Sequence, residues 1–472
     1  MKGLYVFTLT CAYVLAFGQY TTSPNWISTD KQYSTGGVFA DINNDGLPDF
    51  IVANGNDMAK QKLVVYYNNG GTLQTSPGWQ SAINKYHGHI AVGDINGDGW
   101  LDVAVAILIS ESGPGAQVYF NQGGVLEATP SWSSAVSFYG WHVSLGDADN
   151  DGDLDLLVGS SDAYGSKKWK NYIFYNHNGA LEPVPSWQSD DNRNLDHMEF
   201  ADVDNDGDLD VIAIGSKTYN WIYRNNNGSI STVPDWQSTD NSSQFANTLC
   251  VGDINGDGYI DFIMSDNNQL TGGSGRFKLY RNLGNGMFET TPGWSYYVGY
   301  VSGIALADLN NDGKLDFIGG SWWGKVLIFM NTGTGFASSP SWTSANSMVV
   351  EAICFGDLNK DGLVMKQEKK DVFTGKTVMF WDASPFIKPF GRNTTRTLYY
   401  LDKQPIEYIS KVIVDGVEIS HNEYCYNAMN GWVSLKNKPK MSVLIEYTYT
   451  TKPDMGVTDW DNGKGNVVYY YQ

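Results

Sequence analysis

Side-chain oxygens recur through this chain at a fixed spacing. Asp41, Asn43, Asp45 and Asp49 hold positions one, three, five and nine of the stretch DINNDGLPD (41–49). The pattern returns at Asp94, Asn96, Asp98 and Asp102, at Asp147, Asp149, Asp151 and Asp155, and at Asp202, Asp204, Asp206 and Asp210. It returns again at Asp253, Asn255, Asp257 and Asp261, and at Asp308, Asn310, Asp312 and Asp316. A seventh copy, DLNKDGLVM (357–365), supplies Asp357, Asn359 and Asp361 but places Met365 where the last Asp belongs. Positions one, three and five offer side-chain oxygens, Gly at six permits a sharp turn, position seven offers a carbonyl, and position nine closes the cage. Six to eight hard oxygen ligands suit Ca²⁺, whereas Mg²⁺ demands a tighter octahedron with more water. Zn²⁺ would call for His or Cys, which the loops lack. One such stretch alone would be an Asx-turn. Seven in register predict about seven Ca²⁺ sites. Asp153 and Asp208 add a carboxylate at position seven, so loops three and four are expected to bind most tightly.

The loops start 53, 53, 55, 51, 55 and 49 residues apart, a period that belongs to radial or stacked repeats. In repeat two, HGHIAVGDI (87–95) reads as a strand entering the loop and WLDVAVAIL (100–108) as the return strand. QVYFNQGG (117–124) reads as a third strand closing in a turn, and LEATPSWSS (126–134) as a short fourth. Four antiparallel strands per repeat make a propeller blade. A Pro-x-Trp recurs on the fourth strand, giving Trp26, Trp79, Trp132, Trp187, Trp236, Trp294 and Trp342, expected to pack between blades. The first of these precedes the first loop, and the last repeat lacks its own. The expected fold is therefore all-β: a seven-bladed β-propeller of four-stranded antiparallel blades, closed by the N-terminal strand, which removes the exposed edges.

Four segments follow. Residues 1–18 read as a signal peptide, with one Lys before an apolar run too short to span a bilayer. Residues 19–364 hold the main part of the propeller. Residues 365–452 change character and predict a small inserted β-sandwich-like domain, with alternating apolar residues and an Asp415-Gly416 turn. Residues 453–472 resume the blade pattern and would complete blade seven. Asp454 then stands where Asp49, Asp102 and Asp155 stand in their repeats. A rival reading takes DLNKDGLVMKQE (357–368) as an EF-hand-like loop closed by Glu368.

The chain has 51 Asp and Glu against 31 Lys and Arg, a formal charge of −20, much of it in the loops. Nucleic-acid binding rests on Lys and Arg meeting phosphates, so it is not expected. Cys11 leaves with the signal peptide. Cys250 and Cys354 occupy a packing position before a loop, so no disulfide framework is expected.

These loops, the hairpins around them and their number resemble the FG-GAP/VCBS repeats of integrin-α N-terminal-like propellers. The resemblance covers about residues 20–364 and 453–472. It implies Ca²⁺ where the first and second strands of each blade join. The opposite face is built from the other connections. There His89, His142 and His197 fall five residues before their loops in three consecutive repeats, beside Trp141, with Trp322 and Trp323 in another connection. These six are the candidate ligand residues; the histidines either form a ligand or metal site or satisfy hydrogen bonds within their blades. The expected function is a secreted or cell-surface, monomeric, Ca²⁺-stabilised module that binds a glycan or protein without entering the membrane. The alternatives are a polysaccharide lyase or hydrolase and a structural envelope or matrix protein. Outside the loops no acid pair or nucleophile cluster stands out, which argues against catalysis.

Overall fold

The computed structural model describes residues 20–109, 113–162, 165, 167–269, 272–371, 396–461 and 463–472. The expected signal peptide and Cys11 lie outside them. Among the described residues no helix is long and apolar enough to cross a membrane.

The fold is all-β, and among the described residues there is one short 3-10 turn, at His421–Glu423. Each repeat forms a four-stranded antiparallel sheet, so the fold is a β-propeller. In blade one the strands run Ser34–Ala40, Asp49–Asn54, Val64–Tyr66 and Trp79–Gln80, and five further sheets follow the same order. A seventh such sheet is assembled from distant parts: Val350–Gly356, Asp454–Asp459, Val467–Tyr469 and, outermost, Trp26–Ile27. Trp26 pairs with Val468 and Ile27 with Val467. The innermost strand of this sheet packs beside the innermost strand of blade one.

Second strands such as DFIVAN, DVAVAI and DLLVGS are buried along their whole length. Neighbouring blades cover both of their faces, so these strands read as near-continuous apolar runs rather than alternating ones. The repeated Trp explains how blades stay in register. Trp132, Trp187 and Trp236 donate their indole N–H to the backbone carbonyls of Leu181, Ile230 and Phe288, each in the next blade, at 3.2, 3.0 and 3.1 Å. Trp26 does the same to Leu73 and Trp342 to Tyr20, at 3.0 and 3.1 Å. Each ring thus fills the gap between two sheets while its polar edge is satisfied.

The strand that leaves loop seven begins at Leu363, not at residue 365. Leu363–Asp371, Ser442–Thr450, Tyr408–Val414 and Val417–Glu418 make one sheet, and Leu398–Tyr400, Trp432–Leu435 and Tyr424–Asn427 another. Tyr399, Val412, Val433, Leu435, Ile445 and Tyr447 share one apolar core in this segment. Asp415 and Gly416 take φ of 52° and 86°, the left-handed pair of a two-residue hairpin. The segment also joins the propeller core, because Leu398, Cys425 and Trp432 pack with residues of blades two to four. Cys250, Cys354 and Cys425 are all free thiols.

Candidate calcium loops and the channel they surround

Position one organises every loop. In loop two the Asp94 carboxylate accepts the N–H of Asp98 at 3.0 Å and of Gly99 at 2.8 Å, while Asn96 accepts Asp98 N–H at 3.0 Å. Loops one, three, four, six and seven repeat these bonds. The outcome is an Asx-turned arc that draws the side-chain oxygens inward. Position four is left-handed throughout, with φ of 54° at Asn44, 73° at Gly97 and 59° at Lys360. Gly at position six is left-handed in loops one to six, from Gly46 to Gly313, but Gly362 is not. There the chain runs straight into the insert.

Position nine is buried, and both its oxygens accept backbone N–H groups. Asp102 takes Ile95 N–H at 3.0 Å and Asn121 N–H at 2.8 Å. Burial, with the other loop carboxylates adding repulsion, pushes Asp49, Asp102 and Asp316 up to about 7 and Asp261 up to about 8. Asp155 and Asp210 rise well above the usual carboxylate range for the same reasons. Uncharged, these groups waste their ligand capacity; a divalent cation among them would restore the carboxylate form. In loops three and four, where position three is also Asp, Asp147–Asp149–Asp155 and Asp202–Asp204–Asp206 each bring three oxygens within 4.8 Å of one another. The donor set, oxygen only and partly buried, fits Ca²⁺.

One recurring residue was missed in the sequence. Asn68, Asn121, Asn176, Asn225, Asn282 and Asn331 each donate a backbone N–H to position nine of their own loop. Their side chains reach the position-two carbonyl of the preceding loop, as Asn121 does to Ile42 at 2.8 Å and Asn176 to Ile95 at 2.6 Å. Each loop is therefore tied to two blades. The signal was present as an Asn before a glycine turn, in YNNGG, FNQGG and YNHNG.

The two position-seven carboxylates do not act as expected. Asp153 accepts Asn178 N–H at 2.7 Å and pairs with Lys436 at 2.8 Å. Asp208 accepts the side chain of Asn150 at 2.8 Å and the N–H of Asn227 at 2.5 Å. Both side chains bind other parts of the chain, so their charge is spent outside the cage. Loop four in addition faces Arg224, 3.4 Å from Asp204 and 3.6 Å from Asp210, and Arg396, 3.8 Å from Asp202.

Asp454 has the position-nine environment: Leu358 N–H at 3.0 Å, Tyr471 N–H at 2.8 Å, and a carboxyl that burial pushes up to about 7. Glu368 instead lies in the insert strand Leu363–Asp371, bound to Tyr447 and to the N–H of Asp402 at 3.0 Å. Asp454→Ala is expected to remove one Ca²⁺ per chain in metal analysis, and Glu368→Ala none; the opposite outcome would restore the EF-hand-like reading.

The insert covers the loop face. Ser434 donates to Asp147 at 2.5 Å, Lys403 to Asp308 at 3.0 Å and Thr450 to Asp357 at 3.1 Å, all position-one carboxylates. Tyr400 accepts the N–H of Asp202 at 3.1 Å. A cavity of about 570 Å³ runs along the channel beneath, lined by His89, His142, His197, Glu199 and, from the insert, Asn427 and Asn430. The structure brings the three histidines together: His142 and His197 stack with ring centres 3.3 Å apart, and His89 lies 5.1 and 6.3 Å from them. Leu249 N–H donates to His197 Nδ1 at 3.1 Å, which leaves the ring's own proton on Nε2, 3.6 Å from Glu199. Their nitrogens form no three-residue cluster within 4.8 Å, and the rings meet by stacking.

The aromatic candidates separate. Trp322 is 6% exposed, stacked on Trp460 at 5.8 Å and packed on Phe245. Trp141 is half-buried against the same cluster. Trp323 is 55% exposed.

Near the channel end away from the loops, Asn247 donates to Ser302 at 2.6 Å and Ser302 to Glu351 at 3.1 Å. Burial pushes the Glu351 carboxyl from 4.5 up to about 8. Its folded pKa exceeds the unfolded one, so its contribution is fullest in acid and is lost as pH rises through 8. Glu351→Gln should therefore gain on the native protein in melting temperature between about pH 5 and about pH 9; a constant difference would show that Glu351 ionises normally.

A sequence profile for the FG-GAP-like repeat matches residues 41–105, 106–158, 159–213, 202–264, 269–319 and 308–364. Mouse phosphatidylinositol-glycan-specific phospholipase D is 30% identical over 168 residues, spanning 29% of this chain and 20% of the mouse protein. Among solved structures, BBS1N in complex with ARL6DN, soaked with mercury, aligns over 74% of this chain and 92% of its own, at 12% identity and a TM-score of 0.47. Saccharomyces cerevisiae Sqt1 aligns over 95% and 99%, at 12% identity and 0.46.

Proposed function

The chain belongs to the FG-GAP-like repeat family, and from that premise we propose that it is a secreted, Ca²⁺-stabilised binding module. It would engage a surface glycan or protein through the face opposite the acidic loops. The observation that carries this reading is the division of labour between the two faces. The loop face is taken up by the insert, whose side chains reach the leading carboxylates of loops three, six and seven. The opposite face keeps exposed aromatic side chains, Trp323 and Tyr300 among them. The aligned mouse enzyme supports the repeat and not an activity, since the match spans 20% of it.

A glycan array probed with the Ca²⁺-loaded and the chelated protein tests the reading. Selective binding that is lost on chelation and regained with Ca²⁺ is expected. Metal analysis of the same sample should find about seven ions per chain, and fewer than about four would overturn the assignment of Ca²⁺ to every blade.

A further inference from the structure

Trp323 lies in the connection between the strands Asp316–Ser321 and Leu327–Phe329 of blade six. Its backbone is left-handed, with φ of 54°, and its side chain is 55% exposed. Both features count against a bulky aromatic residue placed there for stability. A positive φ strains a residue with a Cβ, and an exposed indole gains little from the hydrophobic effect. Strain of this kind is kept where the rest of the structure holds a side chain in place for use.

The ring is braced. Tyr300, 43% exposed, comes from the connection between blades five and six and meets Trp323 edge-on, with ring centres 5.6 Å apart at 81°. Trp322 supports it from beneath at 6.2 Å and 78°. Together they border a hollow of about 400 Å³ whose lining also includes Ser321 and Lys325.

We propose that this hollow is a pyranose-binding subsite. The inference rests on the binding-module reading and narrows it to one place and one ligand class. A pyranose ring has an apolar C–H face and a rim of hydroxyls. The Trp323 indole matches the face, and the Tyr300 hydroxyl and Lys325 supply hydrogen-bonding groups for the rim. A protein partner of ordinary size covers about 800 Å² on each side, far more than two braced rings provide.

The test uses the Ca²⁺-loaded full chain and a panel of methyl pyranosides of glucose, galactose, mannose, N-acetylglucosamine and glucuronic acid. Saturation-transfer NMR and titration calorimetry read the binding. At least one glycoside should bind. Trp323→Gly should weaken it by about tenfold or more without lowering the melting temperature, because glycine relieves the strained φ. Trp323→Phe should retain most of the affinity, and Tyr300→Ala should lose part of it while leaving the Trp323 backbone untouched. If the native protein and Trp323→Gly bind the same sugar equally, the subsite is overturned while the binding-module reading stands. If the native protein binds none of the panel, the pyranose assignment falls and only a protein ligand remains for the module.

Discussion

Chelation of Ca²⁺ is expected to lower the melting temperature by many degrees and to loosen the insert before the blades. Each loop gathers carboxylates whose position-nine member is buried, and without a cation that burial pushes it up to about 7 in Asp49, Asp102 and Asp454. By mass action, a site filled at a hundredfold excess over its Kd contributes about 2.7 kcal/mol. Several such sites match the whole stability of a typical domain, about 5–15 kcal/mol. The insert should respond first because its polar contacts fall on the loop carboxylates themselves, among them those of Ser434 to Asp147 and Thr450 to Asp357. Calorimetry with and without chelator measures the shift, and hydrogen exchange over residues 396–452 against the blade strands measures the order of events. A chelated protein that melts within a degree or two of the loaded one would show that the loops hold themselves together without metal.

Deletion of residues 19–30 is expected to cause aggregation or abolish cooperative unfolding. It removes Trp26, which pairs with Val468 and donates its indole N–H to Leu73 in blade one at 3.0 Å. It also removes Tyr20, whose ring packs against Trp342 and Tyr471 and whose carbonyl accepts the Trp342 N–H at 3.1 Å. Truncating one buried Trp costs about 3–5 kcal/mol. Here that loss comes with an unpaired edge along Val467–Tyr469, a template for association. Size-exclusion chromatography should find the truncated protein in larger assemblies than the full chain. A truncated protein that elutes and melts like its parent would make this segment dispensable. Trp26→Ala alone separates the ring from the strand and should give a folded but destabilised propeller.

The acidic loops, the blade repeat, the inter-blade Trp and the split seventh blade were all legible in the chain. Each depends on local spacing. Nine residues of Asx-turn chemistry shape a loop by themselves, and a fifty-residue period names the unit that must be stacked. The displaced Pro-x-Trp before Asp41 and the blade-like run after Lys452 were likewise visible as departures from a period. The clamp made by Asn68, Asn121 and their equivalents was written in the turns but went unread, because its partner is the carbonyl of another repeat.

What depended on packing between distant parts was decided only in three dimensions. Nothing in residues 396–452 announces that they lie across the loop face, since Ser434, Lys403 and Thr450 find their Asp partners 287, 95 and 93 positions away. The position-seven carboxylates look like extra charge for the cage in one dimension; in space Asp153 and Asp208 turn to Asn178 and Asn227. Trp322 and Trp323 are adjacent in the chain and opposite in fate, one stacked under Trp460 and the other turned outward by a left-handed backbone. Sequence spacing determines which groups a repeat can offer. Whether a group is buried, paired or free depends on the neighbour that the ring and its insert bring alongside.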